Sequence, residues 1–347
     1  MIFLGDIACP VNKVISFNTC TSVMNAFIDE IVVLNLEATI AFEGDTVGGE
    51  TLYNHPKVLD GIKNCAKKVI VSLANNHMYD YPKRILPTKK YLEEQGIGVF
   101  GLQEPNGSIL PYEYRDERNT KLAFFGHCWS LYTATNSNKE NDVKIVDIDY
   151  DKFKDIVKQY VNKHKDTLVY CFMHWNYDLE IYPFPMHIKF SREMIDCGVA
   201  GVIGSHSHVF QGVEICKGKP IAYGLGNFYL PSGVFFDGRL EYPEISKDAI
   251  GVRLQGDKKE LLWFKTDCEE VVKLEEITGF DDVKIQSHSQ FTQMSSAKYK
   301  EFFRTNRVKK VLVPVFDEYK GLGYLIKIKY AILRIKFIKL LLRVLKK

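Results

Sequence analysis

Eight short apolar runs, each stopping at glycine or a polar residue, constrain this chain more than any other feature. They are IFLGD (2–6), IVVLNLE (31–37), VIVSLANNH (69–77), GVFG (98–101), LAFFGH (122–127), LVYCFMHW (168–175), VAGVIGSHSH (199–208) and IAYGLGNF (221–228). Most are too short for helices and rich in Val, Ile, Phe or Tyr, so they read as buried strands. Residues 83–95 and 151–164 carry the clearest helical patterns between them, the first closed by Gly96. Strand, helix, strand at this rhythm predicts an α/β layered fold. With 347 residues and 46% hydrophobic composition, the chain can bury a sizeable core, as one large domain or two ordinary ones.

The residues that carry chemistry cluster at one place in this rhythm. Asp6, Glu37, Asn76, His77, His174, His206 and His208 all fall at the C-terminal ends of expected strands, where open α/β sheets bind their ligands. In His206-Ser207-His208, alternation along a strand would send both imidazoles to the same side. Two carboxylates, one amide and three imidazoles, without a thiolate, form a donor set for Mn, Fe(II), Zn or Mg. A carboxylate can bridge two such cations, and Glu37 is the natural bridge because its strand and strand 2–6 are expected at the centre. His77 points away from Asn76 along the local backbone and suits a general acid, with Asp80 three residues on to orient it. His127 ends a strand and is a candidate substrate contact. His55, His164, His187 and His288 read as surface or structural, and Asn227 as a turn residue.

Several of these stretches resemble the bacterial capsule-synthesis CapA proteins, the poly-γ-glutamate accessory family within the calcineurin-like metallophosphoesterases. They are FLGDI, LNLEATI, SLANNHMYDY, FMHWNYDLEIYPFP, GVAGVIGSHSHVFQGVEI and GKPIAYGLGNF, in the family's order over roughly residues 2 to 250. The resemblance implies a four-layer α/β/β/α sandwich with two divalent metal ions at the strand ends. It makes Asp6, Glu37 and His208 ligands of one ion, and Glu37, Asn76, His174 and His206 ligands of the other. His77 takes the place of the catalytic histidine. The chain departs from the pattern twice. Asp6 is followed by Ile7 and Ala8 instead of a D-x-H, which removes one ligand, and Asn176-Tyr177-Asp178 follows Trp175 where Gly and Glu are usual in the family.

The eight cysteines show no paired spacing and fit reduced thiols. The N-terminus does not read as a signal peptide, and no segment has the roughly 18 uncharged apolar residues of a membrane span. The net charge of +3 conceals an asymmetry, because residues 319–347 hold seven Lys, two Arg and no acid. Without those nine, 37 basic residues face 43 acidic ones, so the body carries −6 and has no nucleic-acid footprint. On a helical wheel Lys329, Lys336, Lys339, Arg343, Lys346 and Lys347 fall within about 100°. This predicts a basic amphipathic helix on an anionic membrane surface, although Lys327 and Arg334 fall on its apolar side.

The expected organisation is a catalytic-type domain over 1–250, an extension of unassigned role over 251–318 and the tail over 319–347. The expected function is a metal-dependent phosphoesterase-like hydrolase in capsule or exopolymer biosynthesis. It would be cytoplasmic, peripheral to the inner membrane face, and act on a phosphorylated or anionic polymer-related substrate. The alternative is a non-catalytic metal-binding accessory subunit of a membrane-bound polymer synthase.

Overall fold

The computed structural model describes residues 1–11, 21–134, 143–266, 272–308 and 312–345, with side chains as far as residue 338 in the last helix. The chain opens with β1 (Ile2–Ile7), α1 (Thr21–Phe27), β2 (Ile31–Leu36), α2 (Asp60–Lys63), β3 (Lys68–Ser72), α3 (Ile85–Glu94) and β4 (Gly98–Phe100). It continues with β5 (Tyr112–Arg115), β6 (Lys121–Cys128), α4 (Ser130–Thr133), α5 (Tyr150–Lys163), β7 (Thr167–His174), α6 (Pro185–Asp196) and β8 (Gly201–Ser205). Then follow β9 (Val213–Cys216), β10 (Lys219–Ala222), β11 (Asn227–Tyr229), β12 (Asp248–Gln255), β13 (Lys258–Thr266) and β14 (Val272–Gly279). The last elements are α7 (Val283–Gln286), α8 (Ser296–Asn306) and α9 (Gly321–Leu345).

Two sheets stack face to face. One runs β14-β13-β12-β1-β2-β3-β4, with β11 also paired to β1, and the other runs β5-β6-β7-β8-β10-β9. Alternation along the strands sorts side chains between three cores. Phe3, Val33, Ile70, Phe124, Tyr170, Phe172 and Ile203 meet between the sheets. Ile2, Leu4, Val32 and Val71 face outward, where they cover Phe27, Ile62, Ile85 and Leu92 of α1 to α3. Phe125, Val169, Cys171 and Val202 face the other way, under Phe153, Phe190, Phe303 and Tyr324 of α5, α6, α8 and α9. These are the four layers α/β/β/α that the resemblance implies. Each fully buried Leu or Phe adds roughly 1.5–3 kcal/mol over an exposed one.

β1 and β2 lie mid-sheet, as expected, so Asp6 and Glu37 are carried to the centre of one edge. Residue 250 lies inside β12, and β12 to β14 extend the first sheet beyond β1. The expected hairpin is present: Gln255 pairs with Lys258 across Gly256-Asp257, with Gly256 at φ +59°. In the stretch 270–318, Phe291, Tyr299 and Phe303 are buried against the second sheet.

Within the tail, Gly321–Leu345 form one helix, and its apolar residues occupy two sides. Tyr324 and Ala331 are buried in the body, with Ile328, Ile332 and Ile335 packed beside them. Leu322, Ile326, Leu333 and Phe337 are more than half exposed. The side chains of Lys339, Arg343, Lys346 and Lys347 lie outside the described residues. No helix among the described residues is long and apolar enough to cross a membrane.

Candidate functional site

Close backbone contact between the strands sets up the site. Gly5 precedes Asp6, and a Cβ there would stand 1.9 Å from the Gly226 carbonyl oxygen. Its absence lets the Asp6 N–H donate to that oxygen at 3.0 Å. Gly204 plays the same part in β8, where a Cβ would meet the Tyr223 carbonyl oxygen at 2.0 Å.

Asp6 and Glu37 are both fully buried and share a donor. Asn35 Nδ2 donates to Asp6 Oδ1 at 2.7 Å and also to Glu37 Oε2. Asn75 holds Asn35 in turn, donating from Nδ2 to Asn35 Oδ1 at 3.1 Å. The other oxygen of Glu37, Oε1, is buried without a hydrogen-bond partner. It lies 3.6 Å from His174 Nε2 and 3.8 Å from His77 Nε2. Burial, and then the neighbouring Asp6 charge, push the Glu37 carboxyl up to about 8. A carboxylate so placed is short of positive charge.

The Asn76–Asp80 turn brings in the next groups. Asn75 caps it by accepting from the Met78 N–H at 3.2 Å. Asn76 Oδ1 then lies 2.8 Å from His174 Nε2, and His77 Nδ1 lies 2.8 Å from Asp80 Oδ2. Burial alone would lower the His77 pKa, but the Asp80 hydrogen bond and charge, then Glu37 and Asp178, raise it to about 9. The His77 side chain keeps 22% of its surface open to the cavity, so solvent screens part of that effect.

His206 and His208 reach the site in a way that strand alternation does not describe. β8 ends at Ser205, and both histidines have left-handed backbones, at φ +84° and +58°. The bend leaves their ring centroids 5.7 Å apart. His208 Nδ1 is 2.8 Å from Asn227 Oδ1, so Asn227 is a buried partner of the site rather than a turn residue. His206 has neither ring nitrogen hydrogen-bonded. Asp178 Oδ1 stands only 2.9 Å from its Nε2, but out of line for a hydrogen bond. Burial, with the neighbouring imidazoles, holds His174 well below the usual histidine range. Burial also lowers His208, against the pull of Asp6.

All six expected metal-ligand residues thus converge, together with His77 and Asp80. Glu37, His174 and His206 offer ligand atoms within 4.8 Å of one another, as do Asp178, His206 and His208. The orphaned Glu37 Oε1 and His206 nitrogens, with an oxygen and nitrogen donor set, fit divalent metal ions. Sequence reasoning did not assign Asn35, Asn75 or Asp178. Asn35 was findable, because it precedes Glu37 by two positions in an apolar run that reads as extended chain, where such residues point to the same side. Asp178 depends on a loop and had no such mark. At Asn176, the left-handed φ of +68° explains why glycine or asparagine suits the position. Its Oδ1 accepts from the Phe184 N–H at 2.9 Å and lies 2.7 Å from His187 Nδ1, a structural role.

His127 is not part of the site. It has the parity of Phe125, so it faces the helical layer, where Nε2 lies 2.7 Å from the Ile148 carbonyl oxygen. It packs on Tyr150 and Phe153. Burial lowers its pKa to about 4.

Several known proteins are similar to this chain. The capsule biosynthesis protein CapA of Bacillus anthracis is 26% identical over 171 residues, 47% of this chain and 40% of that protein. A protein of Mycobacterium tuberculosis named "Probable polyglutamine synthesis accessory protein" is 24% identical over 242 residues, 64% of this chain and 61% of its own length. The matches therefore span about two-fifths to three-fifths of these relatives. A solved structure from Staphylococcus aureus, described as a "Putative 5'-Nucleotidase", aligns over 84% of this chain and 58% of its own at 13% identity and a TM-score of 0.43. The family model "Bacterial capsule synthesis protein PGA_cap" matches residues 6–232, which hold all eight expected site residues, and the chain belongs to that family.

Proposed function

We propose that the protein is a metal-dependent phosphoester hydrolase serving capsule or poly-glutamate synthesis, working at an anionic membrane surface. The observation that carries the reading is His77, fixed through Nδ1 by Asp80 at 2.8 Å with Nε2 turned to the Glu37 carboxylate. A purely structural metal site has no use for a raised-pKa imidazole beside its ligands and open to a cavity. Asp6, Glu37, Asn76, His174, His206 and His208 would hold the ions. When bound, divalent ions would offset the charge of a phosphoryl group and acidify water.

The chain's own groups would do the rest. Asn35 would hold Asp6 and Glu37 together through the hydrogen bonds from its Nδ2, so that neither carboxylate has to turn on binding. Protonated His77 would give its Nε2 proton to the departing oxygen, and Asp80 would stabilise the charged ring until then. Tyr132, whose ring centroid is 4.0 Å from that of His206, lines the cavity beside the site.

The membrane part rests on α9. Its outward residues Leu322, Ile326, Leu333 and Phe337 recur at helical spacing, beside a tail of nine basic residues without an acid. An anionic lipid surface matches both features. The direct test of the hydrolase reading is turnover of a panel of phosphomonoesters and phosphodiesters by metal-loaded protein. A panel without turnover, from protein that holds its metal, favours the accessory role that the Mycobacterium tuberculosis relative is named for.

A further inference from the structure

The candidate site opens into a cavity of about 490 Å³, and one wall of it comes from the far end of the chain. Ala331, Arg334 and Ile335 of α9 line it together with His77, Asp80 and Asp178. The helix is anchored in that position. Tyr324 and Ala331 are buried in the core of the second sheet, and the Tyr324 hydroxyl accepts from Trp129 Nε1 at 3.2 Å. Lys327 Nζ donates to the Val315 carbonyl oxygen at 2.7 Å.

Arg334 is the odd residue on this face. The docked positions 324, 328, 331 and 335 are apolar or aromatic, yet a guanidinium comes between the last two. Its Nε is buried without a hydrogen-bond partner. Carboxylates are near, because Glu50, Asp80 and Asp178 line the same cavity. Asp80 is engaged by His77 and by the Leu52 N–H, and Asp178 stands against His206. None of the ion pairs among the described residues includes Arg334. A buried donor left unmatched is costly unless a ligand completes it. Guanidinium forks match the two oxygens of a carboxylate or phosphate.

We propose that Arg334 binds a second oxyanion of the substrate, a carboxylate or phosphate lying outside the reacting phosphoryl group. The C-terminal helix is then a wall of the substrate site as well as a tail. The inference rests on the reading of this site as one for an anionic substrate. It also accounts for one of the two charges on the apolar side of the helix, the other being Lys327, which is held by the Val315 carbonyl.

The test is calorimetric binding by the metal-loaded full chain, at low salt, with two probes: inorganic pyrophosphate and tri-glutamate. Wild type is compared with Arg334→Gln, Arg334→Lys and Lys336→Gln, the last an exposed cation on the same helix. Arg334→Gln should weaken at least one probe about tenfold, the scale of a lost charge-assisted hydrogen bond. Loss confined to pyrophosphate identifies phosphate as the partner, and loss confined to tri-glutamate identifies carboxylate. Lys336→Gln should stay within about twofold of wild type, since an exposed charge contributes little. If Arg334→Gln melts well below wild type, Arg334→Lys decides, because it keeps the charge but loses the fork. That variant should bind about threefold weaker or worse at an unchanged melting temperature. Equal affinities in wild type and both Arg334 variants overturn the proposal. So does a loss in Lys336→Gln as large as in Arg334→Gln, or a wild type that binds neither probe. Turnover is measured separately: no hydrolysis in any variant, with the Arg334 effect intact, sinks the hydrolase reading and leaves this site standing.

Discussion

Asp80 Oδ2 lies 2.8 Å from His77 Nδ1 and also accepts the Leu52 backbone N–H at 2.8 Å. One oxygen therefore fixes the imidazole and is itself fixed by a loop backbone. The ring has little choice but to present Nε2 to Glu37 and the cavity, which is where a proton donor would be needed.

That relationship predicts a graded pair of variants. His77→Ala should lower kcat by about 10²–10⁴-fold, the usual worth of a general acid. Asp80→Asn should cost less, about tenfold, because an amide can still hold the ring but no longer supports its charge. Metal content should match wild type in both. Turnover by His77→Ala equal to wild type would remove this residue from the mechanism.

The second prediction concerns pH and a histidine remote from the chemistry. His127 has its pKa lowered to about 4 by burial, against about 6.5 when unfolded. Above pH 6.5 both states are neutral and its contribution is complete. Below that, the unfolded state takes up the proton first, so stability falls by up to about 1.4 kcal/mol per pH unit until pH 4. His127→Phe should be less stable at pH 7 by about 1 kcal/mol, having lost the Ile148 hydrogen bond. The gap between the two urea-unfolding curves should close at about pH 6 and then reverse, leaving the variant more stable by roughly 2 kcal/mol at pH 4. A gap that stays constant would show that His127 titrates normally in the folded protein.

The third prediction separates the two sides of α9. A chain ending at Glu318 loses the buried Tyr324 and Ala331 and should melt roughly 5–10 °C lower. The double change Ile326→Ser and Phe337→Ser touches only exposed positions and should leave the melting temperature near wild type. It should nonetheless weaken co-sedimentation with anionic vesicles, to which each basic residue near the surface adds about 1 kcal/mol. Raised salt should weaken binding further, since the Debye length shrinks to about 3 Å at 1 M. Full-length protein that ignores anionic vesicles at low salt would end the membrane reading.

The legible part of this molecule was whatever repeats locally. Alternation and run length located β1, β2, β3, β6, β7 and β8, and the chemistry at their ends located Asp6, Glu37, Asn76, His174, His206 and His208. The same alternation, applied to LAFFGH, would have excluded His127, which shares the parity of the outward Phe125. What was not legible depends on loops and distant contacts. His206 and His208 converge through two left-handed residues after the strand, not through the strand itself. Asp178 enters from a loop that leaves β7, and Asn227 is brought to His208 by the pairing of β11 with β1. Arg334 reads as a flaw in an amphipathic helix until the fold sets that helix over the cavity.

The central claim is that Asp6, Glu37, Asn76, His174, His206 and His208 form a metal centre, and metal content per chain tests it most directly. Purified wild type, Glu37→Gln and His206→Ala would be incubated with Mn, Fe(II), Zn or Mg, freed of excess and measured by elemental analysis. Circular dichroism would confirm that each variant is folded. Wild type should retain at least one divalent ion per chain. Both variants should lose most of it, because Glu37 Oε1 and the His206 nitrogens are buried groups with no hydrogen-bond partner. Folded wild type that retains no metal, or variants that retain as much as wild type, would contradict the account.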